Sequence, residues 1–267
     1  MMTIAPTRTD ATPVDSVLSR AFHVLNLVGT AGRPLGLAEI SRETGLPKTT
    51  VHRVLQQMVQ LGAVEREDGM YRIGIHMFVL SSVVPEVVLR GVALQRLLQL
   101  QQRTGHSLHL ATMRDDRVVY LEKIANSHGA DIPTGVGTSF SAHATGVGKA
   151  MLAYLPPADL NRILSQPLEP MTSKTITDPE KLMLNLDQIR RDGLAFDDEE
   201  AAPRVRCVAH PIMHMGEAIA GVSISFPRSA PLEKAAVLAL RETCTSISRD
   251  LARRTRATAR PDLARAV

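Results

Sequence analysis

Apolar side chains near the N-terminus recur at the spacing of an amphipathic helix. They occupy one helical face at Leu18, Ala21, Phe22 and Leu25. Asp15 or Ser16 can cap the start of this helix, and Gly29 and Gly32 mark its end. The pattern therefore predicts a first helix that buries this apolar face.

Two further helices are predicted after short intervals. The second covers Leu37–Thr44, with Leu37 and Ile40 facing inward and Gly45 as its C-terminal stop. Pro47 is acceptable in the first turn of the third helix, which is expected to run to about residue 61. The inner side of the third helix is formed by Val51, Val54, Leu55 and Met58.

The outer face of the third helix contains no acidic residue. Its members are Thr49, Arg53, Gln56 and Gln60, with His52 at the edge. A solvated helix face usually mixes Glu with Lys for local pairing, whereas this set of donors suits phosphates and base edges. Taken alone, the face fits a polar surface helix as well as a DNA-contacting one.

A β-hairpin is predicted directly after the third helix. Segments 63–66 and 70–73 are predicted to be two short strands joined by Glu67-Asp68-Gly69, and Asp-Gly is a strong hairpin signal. Arg66 and Arg72 flank the turn and are candidates for contact with the DNA backbone or the minor groove. Two helices joined by a short turn and followed by a hairpin indicate a winged helix-turn-helix, which is a DNA-binding arrangement.

A long helical stretch from residue 76 to residue 103, interrupted at Pro85, carries a broad apolar stripe that includes Val88, Val92 and Leu98. It is either core of a second domain or a linker that pairs with another chain, and different parts of it can serve each role.

Beyond it, strands are predicted at 106–113, 117–124, 194–197, 205–212 and 218–226. Helices are predicted near 144–154, 157–165, 179–191 and 231–254. Strands joined partly by hairpins, with helices grouped around them, indicate an α+β domain with a mostly antiparallel sheet flanked by helices.

Composition and charge narrow the class of protein. The 267 residues are 44% hydrophobic but only 3% aromatic, so the cores must be aliphatic. Cys207 and Cys244 are too few for a disulfide framework. Most of the net charge of +4 comes from residues 249–267, so bulk charge does not argue for DNA binding. The chain shows neither a signal peptide nor an apolar run of about 20 residues, so we expect a soluble, cytoplasmic protein with no membrane partner.

Several short motifs occur in a fixed order along the chain. They are Ser-Arg-Ala at 19–21, Gly-Leu-Pro-Lys-Thr-Thr-Val-His-Arg at 45–53, Tyr-Arg-Ile-Gly at 71–74, His-Ala-Thr-Gly-Val-Gly-Lys-Ala at 143–150, Asp-Asp-Glu-Glu at 197–200, Val-Arg-Cys at 205–207 and Ser-Ile-Ser at 223–225. In these motifs the chain resembles the IclR family of bacterial regulators. The resemblance implies a winged helix-turn-helix, a linker helix and a GAF-like effector domain. It also implies that the protein forms dimers or tetramers and binds double-stranded operator DNA. There it would repress or activate operons under the control of a small-molecule effector.

The resemblance also implies a domain organisation and a set of site residues. We expect a disordered arm at 1–13, the winged helix-turn-helix at 14–75, a linker and dimerisation helix at 76–103, the effector-binding domain at 104–254 and a basic tail at 255–267. The expected DNA-binding residues are Arg20, Lys48, Thr49, Thr50, His52, Arg53, Gln56, Arg66 and Arg72. The expected effector-binding residues are Gly146, Val147, Asp197, Val205, Cys207, Ser223 and Ser225. The chain departs from the family pattern beside the pocket segments, at Ala201, Ala202, Arg204 and His210.

The effector is expected to be small and anionic, because the start of the helix near 144–148 offers backbone N–H groups and the positive end of its dipole. A neutral aromatic or lactone-like ligand is the alternative, since the acids at 197–200 would repel an anion unless they face outward or hold a loop. No catalytic residue, cofactor or metal is expected. Gly146-x-Gly148-Lys149 lacks the spacing of a phosphate-binding loop, and Cys207 and His210 point to opposite sides of a strand. A thiol enzyme built on Cys207 is the rival hypothesis, but no convergent acid–base set accompanies that residue.

Overall fold

The computed structural model describes residues 16–126 and 134–258. The predicted arm at 1–13 lies outside these residues. The chain divides into two compact units, with the boundary between Val87 and Val88.

The N-terminal unit is a helix-turn-helix followed by a hairpin, as predicted. Its elements are α1 (Val17–Thr30), β1 (Leu35–Gly36), α2 (Leu37–Thr44), α3 (Lys48–Gln60), β2 (Val64–Glu67), β3 (Met70–Ile73) and α4 (Ile75–Ser81). The Ser16 hydroxyl accepts a hydrogen bond from the backbone N–H of Ser19 and caps α1. Asp68 and Gly69 both take positive φ in the hairpin turn, which an Asp-Gly pair tolerates. The two-residue strand β1 pairs with β3 and was not predicted.

The buried face of α1 differs from the predicted one. Leu18 is 72% exposed and Phe22 is 63% exposed, whereas Val24 and Val28 are buried in the core. Both pairs have helical spacing, but the core lies about a quarter turn around the helix from the Leu18–Phe22 side. The rest of the prediction holds, because Ile40 of α2 and all four apolar residues predicted for the inner side of α3 are buried.

The C-terminal unit is built on one six-stranded sheet in which every neighbouring pair is antiparallel. The strands are β4 (Ser107–Arg114), β5 (Arg117–Ile124), β6 (Ser139–Ser141), β7 (Ala195–Asp198), β8 (Val205–His214) and β9 (Glu217–Pro227), and their order in the sheet is β6-β5-β4-β9-β8-β7. The helices are α5 (Pro85–Thr104), α6 (Gly146–Leu152), α7 (Pro157–Leu164), α8 (Pro179–Asp192) and α9 (Lys234–Thr258). The break at Pro85 was predicted, but β6 was not. Helix α9 ends at Thr258, four residues beyond the expected end of the effector-binding domain at 254.

The sheet has an apolar layer on each face, and strand alternation decides which residues join each layer. Leu108, Val222 and Ile224 pack with α5 and α9 in one core cluster. Ala111 and Ala209 pack with α6 and α8 in the other. Because side chains alternate across a strand, His109, Cys207, Ser223 and Ser225 point to the α6 face.

No single helix in the described parts of the chain is long and apolar enough to cross a membrane. Helices α4 and α5 taken together are long and apolar enough, but the chain bends between them.

Candidate functional site

The outer face of α3 is open to solvent and free of acids. Lys48, Thr49, Arg53 and Gln56 are exposed, and Thr50 and His52 are half-buried. Helix α2 ends at Gly45, which has a φ of 70°, so the chain turns sharply before α3. The turn and the buried side of α3 thus present the acid-free face outward as one surface.

The wing arginines have protein partners in this structure. The Arg72 guanidinium donates to the Glu65 carboxylate at 3.0 Å and lies 3.7 Å from the Glu67 carboxylate. Arg66 sits over the ring of Tyr71, 5.7 Å from its centroid. Arg20 is half-buried on α1. Any DNA phosphate that contacts Arg72 would therefore lie close to these two carboxylates.

The N-terminal unit also exposes a continuous run of large apolar side chains on and after α4. The exposed members are Ile75, Phe78, Val79, Leu80, Val83 and Val84. Phe78 is 68% exposed and Val83 is 81% exposed. A contiguous apolar run of this kind is unusual on the surface of a monomeric protein.

A small cavity lies in the C-terminal unit between the sheet and the start of α6. The centres of water-sized spheres can occupy about 60 Å³ of it, and it is lined by His109, Tyr120, Thr134, Phe140, Thr145, Gly146, Asp197, Ala201, Ala202, Val205, Cys207, Ser223 and Ser225. Six of the seven residues expected in the effector pocket are therefore brought together. The exception is Val147, which packs in the core and lies against the backbone of Gly221.

A chain of hydrogen bonds runs across one wall of the cavity. The His109 ring bonds the Thr134 hydroxyl through Nε2 at 2.8 Å, and its Nδ1 lies 3.3 Å from the Ser225 hydroxyl. Ser225 in turn lies 3.2 Å from the Cys207 thiol. Burial lowers the pKa of His109 to about 4, helped by nearby Lys123, so the imidazole is neutral at pH 7. Burial also raises the pKa of the Cys207 thiol, which therefore stays protonated.

Asp197 supplies the carboxylate of the cavity and is only 3% exposed. Its Oδ1 accepts hydrogen bonds from the backbone N–H groups of Glu200 at 2.7 Å and Ala201 at 3.3 Å. Burial raises the pKa of Asp197 to about 6, because desolvation outweighs these hydrogen bonds and the attraction of Lys149. Asp197 thus fixes the loop that carries Ala201 and Ala202 along the cavity wall.

The other acids of the 197–200 motif are held in ion pairs. Glu200 pairs with the buried Lys149 at 2.5 Å. Glu199 pairs with Lys174 and with Arg228, and the hydrogen bond from Lys174 is the largest cause of the fall in the Glu199 pKa to about 2. Asp198 points away from the cavity and pairs with Arg206 at 2.9 Å. Glu199 and Glu200 therefore hold the loop, and Asp198 faces outward. These are the two arrangements in which acids were expected from the sequence not to repel an anion.

The start of α6 offers less to an anion than the sequence indicated. The Thr145 hydroxyl already accepts the backbone N–H of Gly148 at 3.0 Å. The His143 ring just before α6 bonds the backbone carbonyl of Glu169 at 3.0 Å. Among the described residues, no group of three or more His, Cys, Asp or Glu is arranged to hold a metal ion.

Sequence reasoning missed several lining residues, notably His109, Tyr120, Thr134 and Phe140. Alternation along β4 would have indicated His109, because it lies between two core leucines, Leu108 and Leu110. Tyr120 stacks on His109 at 5.0 Å and meets Phe140 edge-on at 5.8 Å. Three of the chain's few aromatic or imidazole rings are therefore gathered at the cavity.

A helix-turn-helix unit with a wing, on the same chain as a sheet domain that holds a lined cavity, defines the class of ligand-responsive DNA-binding regulators. Residues 17–68 match the IclR helix-turn-helix domain, and residues 81–251 match the domain described as bacterial transcriptional regulator IclR C-terminal. The chain therefore belongs to the IclR family, and it is a DNA-binding transcriptional regulator. This confirms the resemblance and the α+β fold inferred from the motifs.

Individual relatives support the assignment. The HTH-type transcriptional regulator XynR of Escherichia coli strain K12 is 34% identical over 218 residues, which cover 80% of this chain and 86% of XynR. BhcR of Paracoccus denitrificans is 36% identical over 217 residues, covering 79% of this chain and 77% of BhcR. The crystal structure of an IclR homolog from Microbacterium hydrocarbonoxydans, complexed with 4-hydroxybenzoate, is similar with a TM-score of 0.78 and 30% identity, covering 89% of this chain and 99% of that one.

Proposed function

We propose that this regulator reads operator DNA with the outer face of α3 and that a small effector in the cavity of the C-terminal unit changes its affinity for that DNA. The observation that carries the first part is the exposed, acid-free face of α3. Thr49, Arg53 and Gln56 are assigned to base edges in the major groove, together with Thr50 and His52 at the margin. Lys48, Arg20, Arg66 and Arg72 are assigned to phosphates.

The proposed effector is a small, mainly apolar molecule with one or two polar groups. Tyr120, Phe140 and Val205 line the cavity beside hydroxyl groups and one carboxylate, and none of the described lining residues is Lys or Arg. This lining favours the neutral aromatic alternative over a free anion. The related protein from Microbacterium hydrocarbonoxydans holds 4-hydroxybenzoate, which supports an aromatic ligand of similar size.

Effector control is tested by measuring operator affinity with and without each member of a panel of aromatic alcohols, phenols and acids. One or more members are expected to change the operator affinity of the wild type by about 5- to 150-fold, the usual range of allosteric coupling. The double variant Ser223→Val/Ser225→Val is expected to lose the response, because it removes both hydroxyls from the cavity wall. Thr255→Val serves as the matched control, since it removes a hydroxyl from the far end of α9. An unchanged response in the double variant would place the effector elsewhere.

We assign no catalytic step to the cavity. Burial raises the pKa of the Cys207 thiol, and the neighbouring Asp197 carboxyl group raises it further through its charge and a hydrogen bond, so the thiol stays protonated although Ser225 also bonds it. His109 bonds two hydroxyls and is neutral, so it orients polar groups without a carboxylate to activate it. The rival hypothesis of a thiol enzyme predicts covalent labelling of Cys207 by iodoacetamide near neutral pH, and the half-buried thiol is expected to resist it because it stays protonated.

We further propose that two copies associate through the exposed run on α4. One recognition helix contacts too few bases for useful specificity, so paired half-sites are expected. Phe78 is the largest exposed side chain of the run, and aromatic residues often carry most of the energy of an interface.

Phe78→Asp is expected to weaken self-association by at least about tenfold, because it places a charge in an apolar contact. Light scattering over a range of protein concentrations measures the effect. Leu184→Asp is the control, because Leu184 is an isolated exposed side chain on α8 that is 69% exposed. A wild type that stays monomeric at micromolar concentration, or a Phe78→Asp variant that associates as well as the control, would contradict the proposed interface.

A further inference from the structure

The charge balance of the effector cavity sets a condition on the ligand, provided that the cavity is the effector site proposed above. Asp197 is its carboxylate, and no described lining residue is a cation. The nearby Lys149 is already paired with Glu200 at 2.5 Å, so that pair adds no net charge. On the other side, the Lys123 ammonium donates to the backbone carbonyl of Thr134 at 3.0 Å. An ionised Asp197 therefore leaves the cavity with an uncompensated negative charge.

The groups that surround Asp197 cannot neutralise a second anion. Strand β8 contributes the Cys207 thiol and β5 contributes the Tyr120 hydroxyl, and burial raises the pKa of both so that they stay neutral. Strand β4 contributes His109, which is neutral at pH 7 because its pKa falls to about 4. Helix α6 contributes Lys149 and the loop after β7 contributes Glu200, and these two side chains form an ion pair. Two carboxylates that share a site cannot both stay ionised at low cost.

Asp197 is also poised to accept a hydrogen bond from a ligand. Its Oδ1 is occupied by the N–H groups of Glu200 and Ala201. Asp197 lines the cavity although the residue is only 3% exposed, and burial raises its pKa to about 6, so protonation of the carboxylate costs less there than at an ordinary aspartate. A ligand hydroxyl can donate to the ionised form, and a ligand carboxylate can share a proton with the neutral form.

We propose that Asp197 selects the charge state of the effector: uncharged hydrogen-bond donors bind directly, whereas an organic acid binds only together with one proton taken from solvent. The proton resides between the Asp197 carboxyl group and the ligand carboxylate, so the complex carries one negative charge rather than two. This linkage gives acids a steep pH dependence that alcohols and phenols lack.

The test compares benzoate with benzyl alcohol, because each has one polar group on the same ring. Calorimetry at about pH 6.5 and about pH 8.5 is expected to show benzoate affinity falling by up to tenfold per pH unit in the wild type, since one proton is bound per ligand. Benzyl alcohol affinity is expected to change by less than about threefold over the same range. Benzoate titrations in two buffers of different ionisation enthalpy are expected to show uptake of close to one proton.

Asp197→Asn and Asp198→Asn form the matched pair of variants. Asn at 197 retains the Oδ1 acceptor for the loop but removes the charge, so benzoate binding should lose its pH dependence and improve at the higher pH. Asp198 lies on the opposite side of β7 and pairs with Arg206, so its variant should behave as the wild type. Thermal unfolding checks that both variants remain folded.

Benzoate binding to the wild type that does not depend on pH would overturn the proposal. Proton uptake that persists in Asp197→Asn would also overturn it. Absence of heat with both probes at about millimolar concentration would overturn it as well, because both belong to the stated class. Proton-linked binding without any effect on operator affinity would leave this inference standing while contradicting the proposed effector function.

Discussion

Replacing Gly148 by alanine is expected to unfold the C-terminal unit or to destabilise it by at least about 3 kcal/mol, at or beyond the upper end of ordinary overpacking. A Cβ at this position would lie 2.1 Å from the backbone oxygen of Ala142 and 2.5 Å from its Cα. Neither atom can move as a side chain would. Every residue of α6 is buried, so the helix cannot shift away from the sheet without opening the core.

Gly91→Ala is the control for this prediction. Gly91 lies in α5, and a Cβ there would have open space around it. Alanine at a helical position without steric conflict is expected to stabilise by about 0.5–1 kcal/mol. Urea unfolding of the two variants should therefore shift in opposite directions, and equal midpoints would contradict the close approach of α6 to Ala142.

Glu200→Ala is expected to cost about 3–5 kcal/mol, because it leaves the buried ammonium of Lys149 without its partner. The side chains of Lys149 and Glu200 are 1% and 8% exposed, and the second oxygen of Glu200 has no hydrogen-bond partner among the described residues. The pair therefore depends on a single contact. Its loss would also remove one of the contacts that hold the loop at the cavity wall, beside those of Asp197 and Glu199.

Two comparisons separate this effect from a general loss of charge. Asp187→Ala breaks the exposed pair with Arg190 and is expected to cost no more than about 1 kcal/mol. Lys149→Met/Glu200→Leu replaces the buried pair by apolar groups and is expected to be close to neutral. A Glu200→Ala variant as stable as Asp187→Ala in chemical denaturation would show that Lys149 reaches water or another partner.

The spacing of apolar residues and the positions of Gly and Pro predicted most of the helices and strands of this fold. The inner face of α3, the Asp68-Gly69 turn and the break at Pro85 each follow from spacing or from backbone preference. The Leu18–Phe22 face of α1 failed because two overlapping apolar sides have the same period, and only the positions of α2 and α3 decide which side is buried.

The cavity was predicted in part for a similar reason. The family motifs indicated Ser223, Ser225 and Cys207, but His109 and Tyr120 come from β4 and β5, which no motif marks. The acids at 197–200 illustrate a different limit. Their partners, Lys149, Lys174 and Arg228, lie 25 or more residues away in the chain, so sequence alone left open whether these acids face the ligand or hold the loop.

Arg53→Ala tests whether the acid-free face of α3 contacts operator bases. Genomic fragments selected by the wild type serve as the specific target, and an unrelated duplex serves as the comparison at the same salt concentration. Loss of one base contact is expected to weaken specific binding by about 1–3 kcal/mol, or roughly ten- to a hundredfold, and to change binding to the unrelated duplex far less. Arg190→Ala on α8 controls for the lost charge, and thermal unfolding confirms that both variants fold. An Arg53→Ala variant that binds the selected fragments as tightly as the wild type would contradict the account.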